Sequence, residues 1–335
     1  MSGLRAQEIP NRGTEAPLFA RESPIGTLEY RPGRGLSVGE TGLTVGGYSS
    51  LFFVRDEGAP GQFTFNNLSL FLAWDPHPRI HGFAELELEH LVDVDTDGDV
   101  TGEHARFRVE RAYEDFSLLE AVNLRVGKFL TPVGRWNVIH AQPLVWTTSR
   151  PLTSELLFDQ NTTGGQLFGT FFDGGAAVTY RLIGQFVNQL EPRPQLVHQD
   201  RSAGTRIELT LADGLELGAT YLAHRSDDRE WHHLGGFDLL WQIDRLEVLS
   251  ETALDEGERN QWGTFVQPVY EVFPRWYAVA RYEHFNRRSR EVELFDPGIA
   301  FRPYPTVVLK AEYLFADRRS TIARPGFKSS FSILF

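Results

Sequence analysis

Residues 327–335, FKSSFSILF, decide the fold. Phe327, Phe331, Ile333 and Phe335 share one parity with Ser329, while Lys328, Ser330 and Ser332 take the other. A period of two marks a strand with one apolar and one polar face. So one-sided a strand must set its apolar face against something. Its place at the end of the chain leaves no later segment to cover it, and lipid is the covering that the rest of the sequence supports.

Working outward, the 335 residues suffice for one large all-β unit or two ordinary domains. Only 41% are hydrophobic, yet 25 are Phe, a balance that suits a wall wet on one side and oily on the other. No apolar run approaches the length of a spanning helix. The net charge of −12 leaves no basic stripe for nucleic acid. Zero cysteines exclude disulfides, thiolate metal sites and haem attached through C-x-x-C-H. Residues 1–10, MSGLRAQEIP, hold no apolar signal region, so a barrel reading entails a signal peptide already removed.

Residues 1–42 are rich in Gly, Pro, Arg and Glu and read as an N-terminal periplasmic tail or plug-like segment. From residue 43 to 335, about sixteen stretches of 9–14 residues alternate apolar and polar, the first at 43–54 and the last at 326–335. Strands of that length are what a bilayer demands of a tilted strand. Their connections alternate too. Tight ones, such as Asp75-Pro76-His77-Pro78, Asp173-Gly174, Asp213-Gly214 and Phe273-Pro274, suit hairpins, and the intervening ones are longer and more polar. Short turns on one side and long loops on the other predict a closed antiparallel transmembrane β-barrel of about sixteen strands in a Gram-negative outer membrane.

The register follows from charge. A charged side chain on the lipid face at mid-bilayer costs about 2–4 kcal/mol, so the charged parity belongs in the lumen. That places Glu85, Glu87, Arg106, Arg108, Arg125, Arg206, Arg245, Arg281 and Lys310 inside, where the sheet also predicts Arg–Glu pairs across strands. Most would brace the wall or sit solvated, while the arginines could also guide anions. Two stretches break parity, at Asn66-Asn67 and at Arg111, and bulges account for both. Trp74, Trp241 and Trp276 beside tight turns, with Trp231 and Trp262 beside the outer loops, predict aromatic girdles.

Residues 131–162 form the third outer loop and the expected constriction, since a loop that long inside a compact chain is usually functional. Around it run NLRVGKFLTPVGRWN (123–137), HAQPLVWTTSRPL (140–152) and ELLFDQNTTGGQLFG (155–169), with WYAVARYEHF (276–285) and FRPYPTVVLKAEYLF (301–315) later. These segments resemble the phosphate-selective porin family. The resemblance implies a sixteen-stranded, water-filled, trimeric channel whose third loop enters the lumen. It marks Lys128, Arg135 and Asn137 at the loop entrance and Arg150 in the later Arg-Pro. The chain departs from that family's lysine-rich channels in having only Lys128, Lys310 and Lys328.

The expected function is a porin for passive diffusion of small hydrophilic or anionic solutes, in contact with outer-membrane lipid and lipopolysaccharide. The alternative is a non-conducting barrel serving as a sleeve or anchor for a partner such as an electron carrier. No G-x-S-x-G or H-E-x-x-H pattern points to an enzyme. In the second outer loop, Asp93, Asp95, Asp97 and Asp99 in DVDTDGD match the opening of a calcium loop, with Glu103 and His104 near its twelfth position. An acidic, solvated loop tip is the other reading.

Overall fold

The computed structural model describes residues 17–335 except 103–104, 188–198, 212–213, 227–228, 258–259, 288–289, 318–319 and 321. Asp213, Glu103 and His104 therefore lie outside the described residues.

The chain opens with a three-stranded antiparallel meander, β1 (Phe19–Ser23), β2 (Gly26–Arg31) and β3 (Gly35–Val38). Within the segment expected as a tail or plug these strands pair with one another, and β3 bonds to the first residues of β4 (Leu43–Asp56). Next come β5 (Gln62–His77) and β6 (Ile80–Asp95), then a two-residue strand, β7 (Val100–Thr101), inside the second outer loop. β8 (Arg106–Leu119) and β9 (Val122–Leu130) lead into the third loop, which carries α1 (Trp136–Ile139) and α2 (Leu152–Leu156). β10 (Asn161–Asp173), β11 (Ala176–Gln185), β12 (Gln199–Thr210) and β13 (Leu215–Ser226) continue the wall. So do β14 (Trp231–Ile243), β15 (Leu246–Glu256), β16 (Gln261–Phe273) and β17 (Trp276–Arg287). β18 (Arg290–Tyr304), β19 (Val307–Leu314) and β20 (Gly326–Leu334) complete it.

Apart from the meander and β7, the strands pair antiparallel with their sequence neighbours, and β20 pairs with β4 from Gly326↔Asp56 to Leu334↔Tyr48. Sixteen strands among the described residues therefore close into a barrel, leaving no open edge between first and last. Reciprocal backbone bonds between Gly47 and Phe335, 2.9 and 2.8 Å, finish the seam.

The tight turns gather at one end with the start of β4 and the end of β20, as an even strand number requires. Gly174, Asp244 and Arg275 take positive φ in the two-residue ones, the backbone that such hairpin turns need, and Gly214 takes it just before β13. Both parity breaks are bulges. One shifts β5 between Phe65 and Asn67, and the other shifts β8 against β6 at Glu85/Leu86, which brings Arg111 opposite Glu85. An extra residue in a strand re-aims everything beyond it.

The two faces separate as the alternation predicts. Ile207 is 52% exposed and Leu309 41%, while their neighbours Arg206 and Lys310 are 1% and 3%. Trp74, Trp241 and Trp276 stand exposed near the tight turns and Trp231 at the opposite rim. The inner face is not uniformly polar, however. Leu222, Leu234, Leu249, Phe265, Phe285 and Leu294 point inward and are buried. They pack against Val133, Trp136, Val145, Leu152 and Phe158, side chains of the third loop.

Candidate pore constriction

The third loop turns into the barrel because its own residues find partners there. An irregular backbone away from water needs acceptors for its amides, and inward carboxylates supply them. Arg135 and Trp136 donate their backbone N–H groups to Glu251 Oε1 at 2.7 and 2.6 Å, which fixes the start of α1 from across the lumen. Gly134, at φ +65°, permits the approach, since a Cβ there would lie 2.3 Å from Glu251 Oε2. Leu152 at the start of α2 donates to Glu283 (2.8 Å), and Thr148 and Ser149 donate to the two oxygens of Glu312 (2.8 and 2.7 Å).

Cations do the converse for the loop's carbonyls. Lys310 Nζ reaches the carbonyl oxygens of Gln142 and Thr147, both at 3.0 Å. Arg281 donates to Thr147 Oγ1 (2.6 Å) and pairs with Glu283 and Asp296 at 2.6 and 2.9 Å. Arg302 lies 4.6 Å over the Trp146 ring and donates to Pro143 O, while Trp146 Nε1 donates to Glu247 (2.6 Å).

The neck of the loop is locked by the residues that the family resemblance marks. Asn137 Nδ2 donates to Thr131 O and Gln160 O, at 2.8 and 3.0 Å, tying the outgoing and returning strands together. Arg150 donates to Asn137 Oδ1 and Gln160 Oε1, and its guanidinium lies 4.9 Å over Trp136. Gln160 continues the chain of bonds to Glu110. Lys128 donates to Val109 O at 2.6 Å. Arg135 spans Glu216 and Asp238, at 2.5 and 3.0 Å, and Asp238 also takes Arg206 at 2.6 Å. Buried charge is tolerable only when paired and hydrogen-bonded in this way.

The charges expected to line the pore therefore divide. Arg206, Arg281 and Lys310 are inward but sealed beneath the loop, and Lys128, Arg135 and Arg150 hold its neck. Glu85 and Glu87 are buried against the wall, Glu87 accepting from Asn67 and Ser69 of β5. Arg245 corrects the expectation: it sits exposed in the two-residue turn between β14 and β15, where no inner face exists. Arg106 is exposed toward the outer rim opposite Glu89, to which Arg108 donates at 3.0 Å. Arg125 keeps 23% of its side chain exposed and Arg181, outside the predicted set, keeps 20%. Lumenal water thus meets cations on the β8–β12 side.

The described part of the acidic loop is held by its own backbone. Asp95 Oδ1 accepts the backbone amides of Asp97 and Asp99 at 3.0 and 2.9 Å, capping its own turn, and Gly98 supplies positive φ. Among the described residues no group of three His, Asp or Glu could hold a metal ion.

No family model matches the chain. An uncharacterised protein of Aquifex aeolicus (strain VF5) is 22% identical over 356 residues, covering 88% of this chain and 80% of that protein. Among solved structures, the outer membrane channel DcaP of Acinetobacter baumannii superposes with a TM-score of 0.60 at 11% identity, covering 95% of this chain and 100% of that one. A loop-deletion form of OmpT, an outer membrane protein of Vibrio cholerae, gives 0.60 at 13% identity, covering 88% of this chain and 99% of that one. At such identities the likeness is one of fold, and the fold is the porin barrel.

Proposed function

We propose that the chain is an outer-membrane porin of a Gram-negative cell, a channel for passive diffusion of small hydrophilic solutes. The observation that carries this reading is the belt of exposed apolar side chains, rimmed by tryptophans, around a closed barrel whose inner charges face one another. Such a belt in water would be an exposed patch far beyond what a soluble monomer tolerates. In a bilayer it meets acyl chains, with lipopolysaccharide against the outer half. The resemblance to porins favours a homotrimer as the working assembly. The third loop, bonded to wall strands from β8 to β20, narrows the passage from one side. Against a sleeve for a partner protein stands that same loop, which takes up lumen a partner would need.

A mild preference for anions rests on Arg111, Arg125 and Arg181, whose side chains stay 19%, 23% and 20% exposed. Phosphate is not favoured over other anions, because each of these guanidiniums already engages a carboxylate. Purified protein added to a planar bilayer should produce discrete conductance steps. Neutralising Arg125 and Arg181 together (Arg125→Gln, Arg181→Gln) should move the reversal potential in a salt gradient toward cations. Folded protein that gives no steps above the detergent control would overturn the channel reading.

A further inference from the structure

Loop-covered and loop-free parts of the lumen are built differently. Beneath the third loop the inner wall is sealed by apolar side chains and paired charges. On β4 to β10 it carries instead a run of aromatic rings: Tyr48, Phe71, Phe83 and Tyr113, on consecutive barrel strands, have centroids 5.6, 5.7 and 5.5 Å apart. Two guanidiniums lie on this run. Arg111 Cζ is 4.6 Å over Phe83 and 5.9 Å over Phe71, and Arg125 Cζ is 3.8 Å over Tyr113 and 5.4 Å over Phe168.

Each guanidinium is oriented by a carboxylate. Arg111 Nε donates to Glu85 at 2.6 Å, and Arg125 Nε and Nη2 donate to both oxygens of Asp115 at 2.7 and 2.8 Å. The carboxylates recede, Glu85 at 0% and Asp115 at 16% side-chain exposure, so the surface offered to water is cationic. Rings below and carboxylate beside still leave 19% of the Arg111 side chain and 23% of the Arg125 side chain exposed. They also leave Nη1 and Nη2 of Arg111, and Nη1 of Arg125, without a hydrogen bond among the described residues. A guanidinium is flat, weakly hydrated and stacks on π-systems, which an ammonium does not. A tetrahedral oxyanion could use the free N–H groups but could not stack.

We propose that the Arg111–Arg125 layer is a solute subsite that selects flat, conjugated carboxylates, with the ring stacked on one guanidinium and the carboxylate on the free N–H groups of the other. The proposal rests on the channel reading for the route by which solute arrives. Its test does not need conduction. Benzoate and cyclohexanecarboxylate carry the same charge and nearly the same volume, and only the first is flat. Their binding to the protein in detergent micelles, followed by saturation-transfer NMR against a detergent blank, should favour benzoate by about threefold or more. In Arg111→Lys/Arg125→Lys, which keeps both charges and loses both planes, the two acids should bind alike. Arg125→Lys alone should lose part of the preference and serves if the double variant does not fold, as judged by heat-modifiable mobility. Equal binding of the two acids by the parent protein overturns the proposal, as does a preference that survives in the lysine variants. A parent that conducts ions without discriminating removes the subsite alone, whereas one that prefers benzoate and passes no current removes the channel alone.

Discussion

At the residue scale, the inner charges are fasteners first. Arg281 is 1% exposed and answers both Glu283 and Asp296, so Arg281→Met would strand two buried carboxylates. Removing one partner of a buried ion pair costs about 3–5 kcal/mol, and denaturant unfolding in micelles should show a loss of that order. A loss below about 1 kcal/mol, the range of an exposed pair, would mean that the site is wet. Gly134→Ala should instead act locally. Its φ of +65° and the 2.3 Å approach to Glu251 leave no room for a methyl. Loop-specific cleavage by thermolysin should then rise while the barrel keeps its heat-modifiable mobility. How far single residues can be read from sequence is clear here. Alternation says that Arg206 and Lys310 face inward, but not that a loop more than forty residues earlier will lie on them. Arg245 misled because parity has no meaning in a two-residue turn.

At the element scale, the sixteen strands and their sorted connections were legible, because a bilayer imposes length and alternation on every strand independently of its neighbours. The inner apolar cluster was not foreseen, though it left a trace. In β16 both parities are apolar, Phe265 and Val269 inward and Val266 and Tyr270 outward, which is the pattern of a strand covered on both sides. On β19, Leu309→Arg should cost about 2–4 kcal/mol, as for any charge placed on lipid. The adjacent Lys310 already shows that the inner parity accepts one. The loop's position can be fixed covalently in a chain that has no cysteine of its own. Thr148 Oγ1 and Ser330 Oγ are 2.8 Å apart, so Thr148→Cys with Ser330→Cys should form a disulfide under mild oxidation and shift the mass of a tryptic digest. Two free thiols after oxidation would place the loop elsewhere.

At the scale of the whole molecule, the wall is closed by β20 against β4, the oily side turns outward, and the third loop divides the lumen into a sealed part and a wet one. Conduction, selectivity and the flat-anion subsite all depend on that orientation. The most direct test is a cysteine scan of Phe327–Ile333 in liposomes, one position at a time, with a maleimide that partitions into lipid. Positions 327, 329, 331 and 333 should react with it, and positions 328, 330 and 332 should be protected. Uniform labelling, or the opposite parity, would contradict the account.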